Sequence, residues 1–306
     1  MQVFSSESMT INKVGVAGGD AYLITTPEKT MLYDSGFAHA APSLVREVDE
    51  LLEGRLLDYL FLSHSHYDHA SGSVWVKECW PQCVILGSAY TAHVFTRPGA
   101  RKTMSLLNVE ALKGAQAAGL GTPKTEDPVA FPELENLTVD EIVGEGSIID
   151  LGSIQLEVIE APGHTRCSLM LWCPKESLLF GSESLGIMLS SNMVGPICLS
   201  SYQDCLDSIS KAQALKPQHI LVSHQYVLDG EEATRYLINA QLWAQKTAHL
   251  VWESHARGKT KDEIALTLKE LFYGEHLKAH QPEAAFDLNN GIVIDQLLAS
   301  KELNPL

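Results

Sequence analysis

The stretch His64-Ser65-His66-Tyr67-Asp68-His69 places four potential metal ligands within six residues. It follows the apolar run Tyr59-Leu60-Phe61-Leu62, which is typical of a buried strand, and precedes Ala70-Ser71-Gly72, which predicts a turn into a helix. Side chains two residues apart on an extended chain point the same way, so His64 and His66 can bind one ion together. Imidazole and carboxylate groups are ligands of zinc, iron and manganese. Because the chain has only 12 histidines, their concentration here predicts a metal site rather than a polar loop.

Further segments, in chain order, complete a pattern typical of one family. They are Gly18-Gly19-Asp20-Ala21-Tyr22-Leu23-Ile24, Met31-Leu32-Tyr33-Asp34-Ser35-Gly36, Ala161-Pro162-Gly163-His164-Thr165, Leu178-Leu179-Phe180-Gly181-Ser182-Glu183 and Val222-Ser223-His224. Together with the His-x-His-x-Asp-His run, they resemble the metallo-β-lactamase-fold metallohydrolase superfamily over roughly residues 12–226. The helical character of the tail resembles the type-II glyoxalase and thioesterase branch. The resemblance implies an α/β fold, a four-layer αββα sandwich with a C-terminal helical extension.

The resemblance also implies a centre of two divalent metal ions. On the family pattern the first ion is bound by His64, His66 and His164, the second by Asp68, His69 and His224, and Glu183 lies between them. Zinc is the favoured metal, and iron and manganese suit the same ligands.

Two residues depart from the family pattern. Glu183 stands where the family has a bridging aspartate, and Ser223 replaces the glycine before His224. A glutamate has the same charge on a longer side chain, so we expect Glu183 to be a ligand rather than a structural residue. Ser182 is the weaker candidate, because a neutral hydroxyl is a poor ligand. Whether Glu183 bridges both ions stays open.

This ligand set predicts a binuclear metallohydrolase. A water shared by two divalent ions ionises near neutral pH, and the metal-bridging hydroxide can attack an electrophilic carbonyl or phosphorus. Asp68 is the candidate catalytic residue, since a carboxylate bound through one oxygen can orient the hydroxide with the other. Asp34 is expected to accept a hydrogen bond from a ligand histidine.

The expected substrate is a thioester or a related small ester. A thiolate leaves without a strong general acid, and the motifs contain no obvious candidate for one. A phosphodiesterase is one alternative, and a catalytically weak regulatory or binding member of the same fold is another, consistent with the change at Glu183. A β-lactam is disfavoured for lack of an export signal. Members of the flavodiiron redox group usually replace a motif histidine with glutamate and add a flavin domain. This chain shows neither feature, so a flavodiiron-type redox protein is disfavoured.

Composition favours a globular enzyme acting on a small molecule. Of the 306 residues, 45% are hydrophobic and 20% charged, which are ordinary values. The formal net charge of −16 argues against a nucleic-acid partner, because phosphate backbones require basic surfaces. The first residues have no signal-peptide pattern, and no apolar run is long enough to span a bilayer. We therefore expect a cytoplasmic protein without a membrane partner, whose six cysteines are buried, reduced thiols.

The chain is predicted to contain two domains. Residues 1–229 would form the metallo-β-lactamase-like domain, with an insertion at about 95–140, and residues 230–306 a helical cap. The boundary follows His224, where strand patterns give way to helix-like spacing of apolar residues, and Thr260-Lys261-Asp262-Glu263 is a capping-box sequence.

The helical tail is expected to close over the metals. Trp243 and Phe272 are candidates for an acyl-group pocket. The alternatives are simple packing against a sheet face and a homodimer contact.

Overall fold

The chain divides into two compact units. The computed structural model describes residues 1–117, 119, 131–224, 226–278, 281 and 283–303. The first unit comprises Met1–Ile159, Cys173–Glu176 and His224–Tyr226, and the second Glu160–Trp172, Ser177–Ser223 and Val227–Leu306. The domain boundary at residue 229 and the insertion stay predictions, and residues 118 and 120–130 of that insertion lie outside the described residues.

The first unit contains a seven-stranded sheet whose strands lie in chain order. They are β1 (Gln2–Ser5), β2 (Thr10–Val16), β3 (Gly19–Thr25), β4 (Thr30–Tyr33), β5 (Tyr59–Phe61), β6 (Val84–Gly87) and β7 (Glu141–Ile142). The pairs up to β4 are antiparallel, and those from β4 onward are parallel. Tyr33 pairs with Phe61 at the end of β4 and β5. The residues that follow these two parallel strands therefore emerge at the same edge of the sheet.

Helices connect the parallel strands of this sheet. They are α1 (Ala41–Leu52), α2 (Tyr67–Ala70), α3 (Ser73–Cys79), α4 (Ala89–Phe95) and α5 (Pro98–Ala117). The parallel strands β4 and β5 must be joined by a crossover connection, which is usually helical, and α1 lies in this connection. Its Leu44, Val48 and Leu52 recur at helical spacing and are buried with Leu32 and Leu60 of the sheet in one apolar cluster. Two further strands, β8 (Ile148–Asp150) and β9 (Gln155–Glu160), form an antiparallel pair.

The second unit carries the remaining strands and helices. Its strands are β10 (Leu169–Cys173), β11 (Leu178–Phe180), β12 (Ile187–Ser190), β13 (Met193–Gly195), β14 (His219–Leu221) and β15 (Val227–Asp229). Strands β15, β14, β11 and β10 are neighbours in that order. The hairpin of β12 and β13 is separate from them, and sequence reasoning did not predict it.

The C-terminal region is helical, as predicted. The second unit has α6 (Tyr202–Leu215), α7 (Gly230–Ala256), α8 (Lys261–Phe272), α9 (Glu275–Lys278) and α10 (Glu283–Leu303). The capping box is confirmed, because Thr260 Oγ1 accepts from the Glu263 amide at 3.3 Å and Glu263 Oε2 accepts from the Thr260 amide at 2.8 Å. Helix α10 is the last of these and begins at Glu283.

All six cysteines are free thiols, and five of them are buried. The exception is Cys79, which is exposed, so the expectation of burial was wrong there. Burial raises the pKa of the Cys83 thiol to about 12, which leaves it protonated and unreactive. Among the helices within the described ranges, none combines the length and apolar character needed to cross a bilayer.

Candidate metal centre

Asp34 organises the turn that carries the first histidines. Its backbone amide donates to the Phe61 carbonyl at 2.8 Å, which ties the ends of β4 and β5 together. Asp34 Oδ1 accepts from the Ser63 amide and Oδ2 from the Ser63 hydroxyl, both at 2.8 Å. The residue is buried and has φ 60°. Residues other than glycine rarely adopt that conformation, so the surrounding contacts must hold it in place.

The Ser63 hydroxyl determines which nitrogen of His64 carries the proton. His64 Nδ1 lies 3.0 Å from Ser63 Oγ. A carboxylate only accepts, so Ser63 gives its single hydroxyl hydrogen to Asp34 and must accept from His64 Nδ1. The lone pair of His64 Nε2 is then available for a metal ion. Sequence reasoning missed Ser63; the available signal was a small hydroxyl residue directly before the first ligand.

Asp34 determines the tautomer of His69, as Ser63 does for His64. His69 Nδ1 donates to Asp34 Oδ2 at 2.8 Å, so the expected hydrogen bond between a candidate ligand and Asp34 is present. The carbonyl of His69 accepts from the Ser35 amide at 2.7 Å and the Ser35 hydroxyl at 2.9 Å. A Cβ at Gly72 would clash with the Ser35 carbonyl oxygen. The close approach of these two backbone segments therefore requires glycine at position 72.

Five predicted ligands lie together in the first unit. The rings of His64 and His66 have centroids 4.7 Å apart, and those of His64 and His69 are 4.1 Å apart. One ligand atom each from Asp68, His69 and His224 lies within 4.8 Å of the other two. This proximity makes the three residues a candidate ion-binding group.

His224 reaches this group through an unusual backbone conformation. Its φ is 62°, and the Lys13 ammonium donates to its carbonyl at 3.3 Å. Asp20 lies between the two side chains, 2.9 Å from Lys13 Nζ and 3.7 Å from His224 Nδ1. Burial by itself raises the pKa of Asp20, but the neighbouring His224 and Lys13 lower it by more, so its pKa lies below the ordinary value. Sequence reasoning missed both Lys13 and Asp20 as supports for His224.

The second unit holds the other two predicted ligands against each other. His164 Nε2 lies 2.7 Å from Glu183 Oε2, and both side chains are buried. His164 Nδ1 donates to the Ile197 carbonyl at 2.9 Å. The His164 amide donates to Ser184 Oγ at 3.1 Å, and this hydroxyl donates to the Ala161 carbonyl at 2.6 Å.

The pairing of His164 with Glu183 calls for a cation. With its Nδ1 proton given to the Ile197 carbonyl, a neutral His164 presents a lone pair at Nε2. A lone pair and a carboxylate oxygen 2.7 Å apart repel each other unless a proton or a metal ion lies with them. A buried imidazole and carboxylate are a suitable donor set for a divalent transition metal. The residues present therefore fit the metal that the sequence pattern implies.

None of the other histidines whose side chains the structure describes joins these groups. His93, His249 and His255 are exposed, and His280 lies outside the described residues. The half-buried ring of His39 stacks on Phe37, and burial lowers the pKa of His39 to about 4. His39 is therefore neutral at physiological pH.

The comparison with known proteins identifies the family. Residues 14–224 match the family model described as the metallo-beta-lactamase superfamily. The chain belongs to this superfamily. The matched segment contains the seven predicted ligands and ends on His224. The α/β metallo-β-lactamase fold with a C-terminal helical extension is thereby confirmed.

Curated relatives at the sequence level are named hydroxyacylglutathione hydrolase. The protein from Rhodospirillum rubrum is 27% identical over 188 residues, which are 60% of this chain and 56% of that protein. The one from Cereibacter sphaeroides is 27% identical over 173 residues, or 55% and 63% of the two chains. The chain thus spans less than two thirds of the length of these relatives.

Solved structures agree on the fold. A metallo-beta-lactamase family protein from Thermus thermophilus superposes with a TM-score of 0.65, covering 95% of this chain and 94% of that one at 16% identity. A stereoselective inverting sec-alkylsulfatase from Pseudomonas sp. gives a TM-score of 0.63 at 13% identity, covering 99% of this chain and 51% of that one. At such low identity the likeness establishes the fold alone.

Proposed function

We propose that this protein is a binuclear metallohydrolase that cleaves a thioester or a related small ester. The proposed ligands are His64, His66, Asp68, His69, His164, Glu183 and His224. The observation that carries the proposal is the buried contact of 2.7 Å between His164 Nε2 and Glu183 Oε2, a pair that a proton or a metal ion must accompany and whose donors suit a metal ion. Zinc is the favoured ion, with iron and manganese as alternatives.

The protein's own residues prepare the imidazole ligands. Hydrogen bonds from Nδ1 to Ser63, Asp34 and the Ile197 carbonyl leave Nε2 as the ring atom through which His64, His69 and His164 would bind an ion. Bound divalent ions would supply a hydroxide at neutral pH and polarise the substrate carbonyl. Asp68 is 20% exposed at its side chain, so one carboxylate oxygen can orient a reacting water while the other serves as a ligand.

The relatives favour an acyl thioester as the substrate. Their name, hydroxyacylglutathione hydrolase, describes proteins that remove an acyl group carried on glutathione. A thiolate is a good leaving group, so this chemistry needs no strong general acid. We further propose that the partners are small molecules rather than nucleic acid or membrane, that the protein acts in the cytoplasm, and that a homodimer is one possible assembly.

Metal analysis combined with a substrate panel tests the proposal. Elemental analysis of the purified protein should find up to two zinc, iron or manganese ions per chain. Acyl-thioesters should be hydrolysed faster than phosphodiesters. His164→Ala should reduce the metal content and the rate of thioester hydrolysis by at least about 100-fold, whereas His93→Ala, an exposed histidine, should change neither. Thioester hydrolysis that persists in metal-free protein would contradict the proposal. A preference for phosphodiesters would favour the phosphodiesterase alternative.

A further inference from the structure

The two candidate ligands of the second unit lie on separate segments of the chain. His164 follows β9 and Glu183 follows β11, yet His164 Nε2 and Glu183 Oε2 are 2.7 Å apart and both side chains are buried. A metal-binding pair built from two connecting segments keeps its geometry only where other groups hold those segments together. The bonds between the segments therefore decide how well the pair is prepared for an ion.

The hydroxyl of Ser184, the residue directly after Glu183, connects the two segments. It accepts from the His164 amide at 3.1 Å and donates to the Ala161 carbonyl at 2.6 Å. A serine hydroxyl has one hydrogen and two lone pairs, so both bonds form at the same time. Ser184 is buried, so bulk water does not compete for either bond. One side chain thus ties residues 161–164 to the position next to Glu183.

The turn that contains Glu183 is itself fixed at both ends. At its start, Ser182 Oγ accepts from the Ser184 amide at 3.0 Å. At its end, the Gly186 amide donates to the Glu183 carbonyl at 2.9 Å, and the Gly186 carbonyl accepts from the buried Tyr236 hydroxyl at 2.8 Å. Because the turn is held in this way, the bonds of the Ser184 hydroxyl determine where the Glu183 backbone lies relative to the segment of His164.

The glutamate at position 183 makes this connection more important. Glutamate has one more rotatable bond than the aspartate of the family pattern, so it loses more conformational entropy when its carboxylate binds an ion. Where the backbones of both ligands are already held, only side-chain torsions remain to be fixed, which lowers the cost of binding. Without the Ser184 hydroxyl, an ion would also have to restore the arrangement of the two segments.

We propose that Ser184 is a positioning residue that holds His164 and Glu183 together as one metal-binding pair. The proposal rests on the metal centre of the proposed function and names the side chain that prepares part of it. Ser184 acts through the backbones of both candidate ligands and is not itself a ligand. Loss of its hydroxyl should weaken metal binding by about 10- to 100-fold.

Titration of metal-depleted protein with Co²⁺ alone measures this effect. Bound Co²⁺ has a visible absorption band that depends on its ligands and their geometry, so one titration reports both affinity and coordination. Ser184→Ala should raise the Kd of one Co²⁺ ion by about 10- to 100-fold and should shift or weaken its band. Ser184→Thr, which keeps the hydroxyl, should restore most of the affinity and the wild-type band.

Ser208 provides a matched control. Its buried hydroxyl donates to the Pro162 carbonyl at 2.7 Å, one residue from the Ala161 carbonyl that Ser184 bonds, but it lies on α6 rather than on the turn of Glu183. Ser208→Ala and Ser184→Ala each remove the donor to a backbone carbonyl, so both should lower the Tm by a few degrees. Only Ser184→Ala should change the Kd and the spectrum of bound Co²⁺.

Tyr236→Phe tests the turn from its other end and serves if Ser184→Ala does not fold. It removes the donor to the Gly186 carbonyl and keeps the aromatic ring. Because the turn then loses one of its fixed ends, the Kd of Co²⁺ should rise by about fivefold, with a change in the band of the same kind.

The outcomes separate this proposal from the proposed function. Wild-type affinity and spectrum in Ser184→Ala, or equal effects of Ser184→Ala and Ser208→Ala on the Kd, would overturn the positioning role and leave the proposed hydrolase unaffected. Co²⁺ binding that depends on Ser184, in a protein that hydrolyses no thioester, would support the positioning role and overturn the proposed function. A wild-type protein that binds none of Co²⁺, zinc, iron and manganese would overturn both.

Discussion

At the level of single residues, the candidate centre is characterised by where each imidazole proton lies. Ser63, Asp34 and the Ile197 carbonyl each accept from the Nδ1 atom of a candidate ligand. Each bond removes one tautomer and one ring orientation, so the Nε2 lone pair is available before an ion arrives. Asp34 and His224 both have positive φ without being glycine. Such strain persists only where surrounding contacts compensate for it, and here it coincides with the candidate ligands.

Glu183 is the residue whose substitution is most informative. Glu183→Ala should lower the content of one metal ion and reduce hydrolysis by about 100-fold or more, because His164 loses its buried anionic neighbour. Glu183→Asp should retain both, since it keeps the carboxylate. Metal content and steady-state rates measure the effect. Glu231→Ala, at an exposed position of α7, is the control. An alanine variant with unchanged metal and rate would show that Glu183 is structural.

At the level of secondary-structure elements, α8 combines a local sequence signal with tertiary packing. Its N-terminus is closed by the reciprocal bonds of Thr260 and Glu263. Its buried residues are Ile264, Leu268 and Phe272, which recur at helical spacing. The helix is therefore started by its own sequence and held in place by packing within the second unit.

Removing the cap should destabilise the protein without affecting the metal ligands. Thr260→Ala should lower the free energy of unfolding by about 1 kcal/mol, because the Glu263 amide loses its acceptor. Urea denaturation followed by circular dichroism measures this change. Thr267→Ala, farther along the same helix, should cost less, since its hydroxyl only bonds the Glu263 carbonyl one turn back. Equal effects of both substitutions would contradict a role for the capping box.

At the level of the whole molecule, the fold should be linked to metal binding. An ion that binds only the native state stabilises it by about 2.7 kcal/mol at a free concentration of 100 times the Kd. Adding zinc to metal-depleted protein should therefore raise the Tm by about 5 °C or more, and a chelator should reverse the rise. Differential scanning calorimetry measures it. His69→Ala should reduce the rise, and His249→Ala, at an exposed position, should not. A Tm that does not respond to zinc, iron or manganese would contradict a native metal site.

Local sequence was sufficient where the relevant interactions lie within a few residues. The four predicted ligands between His64 and His69 follow one strand, and the capping box spans Thr260 to Glu263. The strand and helix patterns around these motifs predicted β5 and α8, because periodic burial of apolar side chains is visible in the order of residues alone. The family resemblance supplied the more distant predicted ligands, His164, Glu183 and His224.

Tertiary structure alone revealed the groups that orient those ligands. Lys13 and Asp20 support His224 from some 200 positions earlier in the chain, and no spacing rule predicts such a pair. His164 Nδ1 donates to the backbone carbonyl of Ile197. Every residue has such a carbonyl, so the residue type at position 197 does not predict this bond. The packing of the β12–β13 hairpin likewise depends on distant residues, since the Tyr236 hydroxyl of α7 donates to the Gly186 carbonyl directly before β12. Sequence periodicity reports which side chains are buried, whereas the direction of a hydrogen bond or the shape of a cavity depends on distant segments packing together.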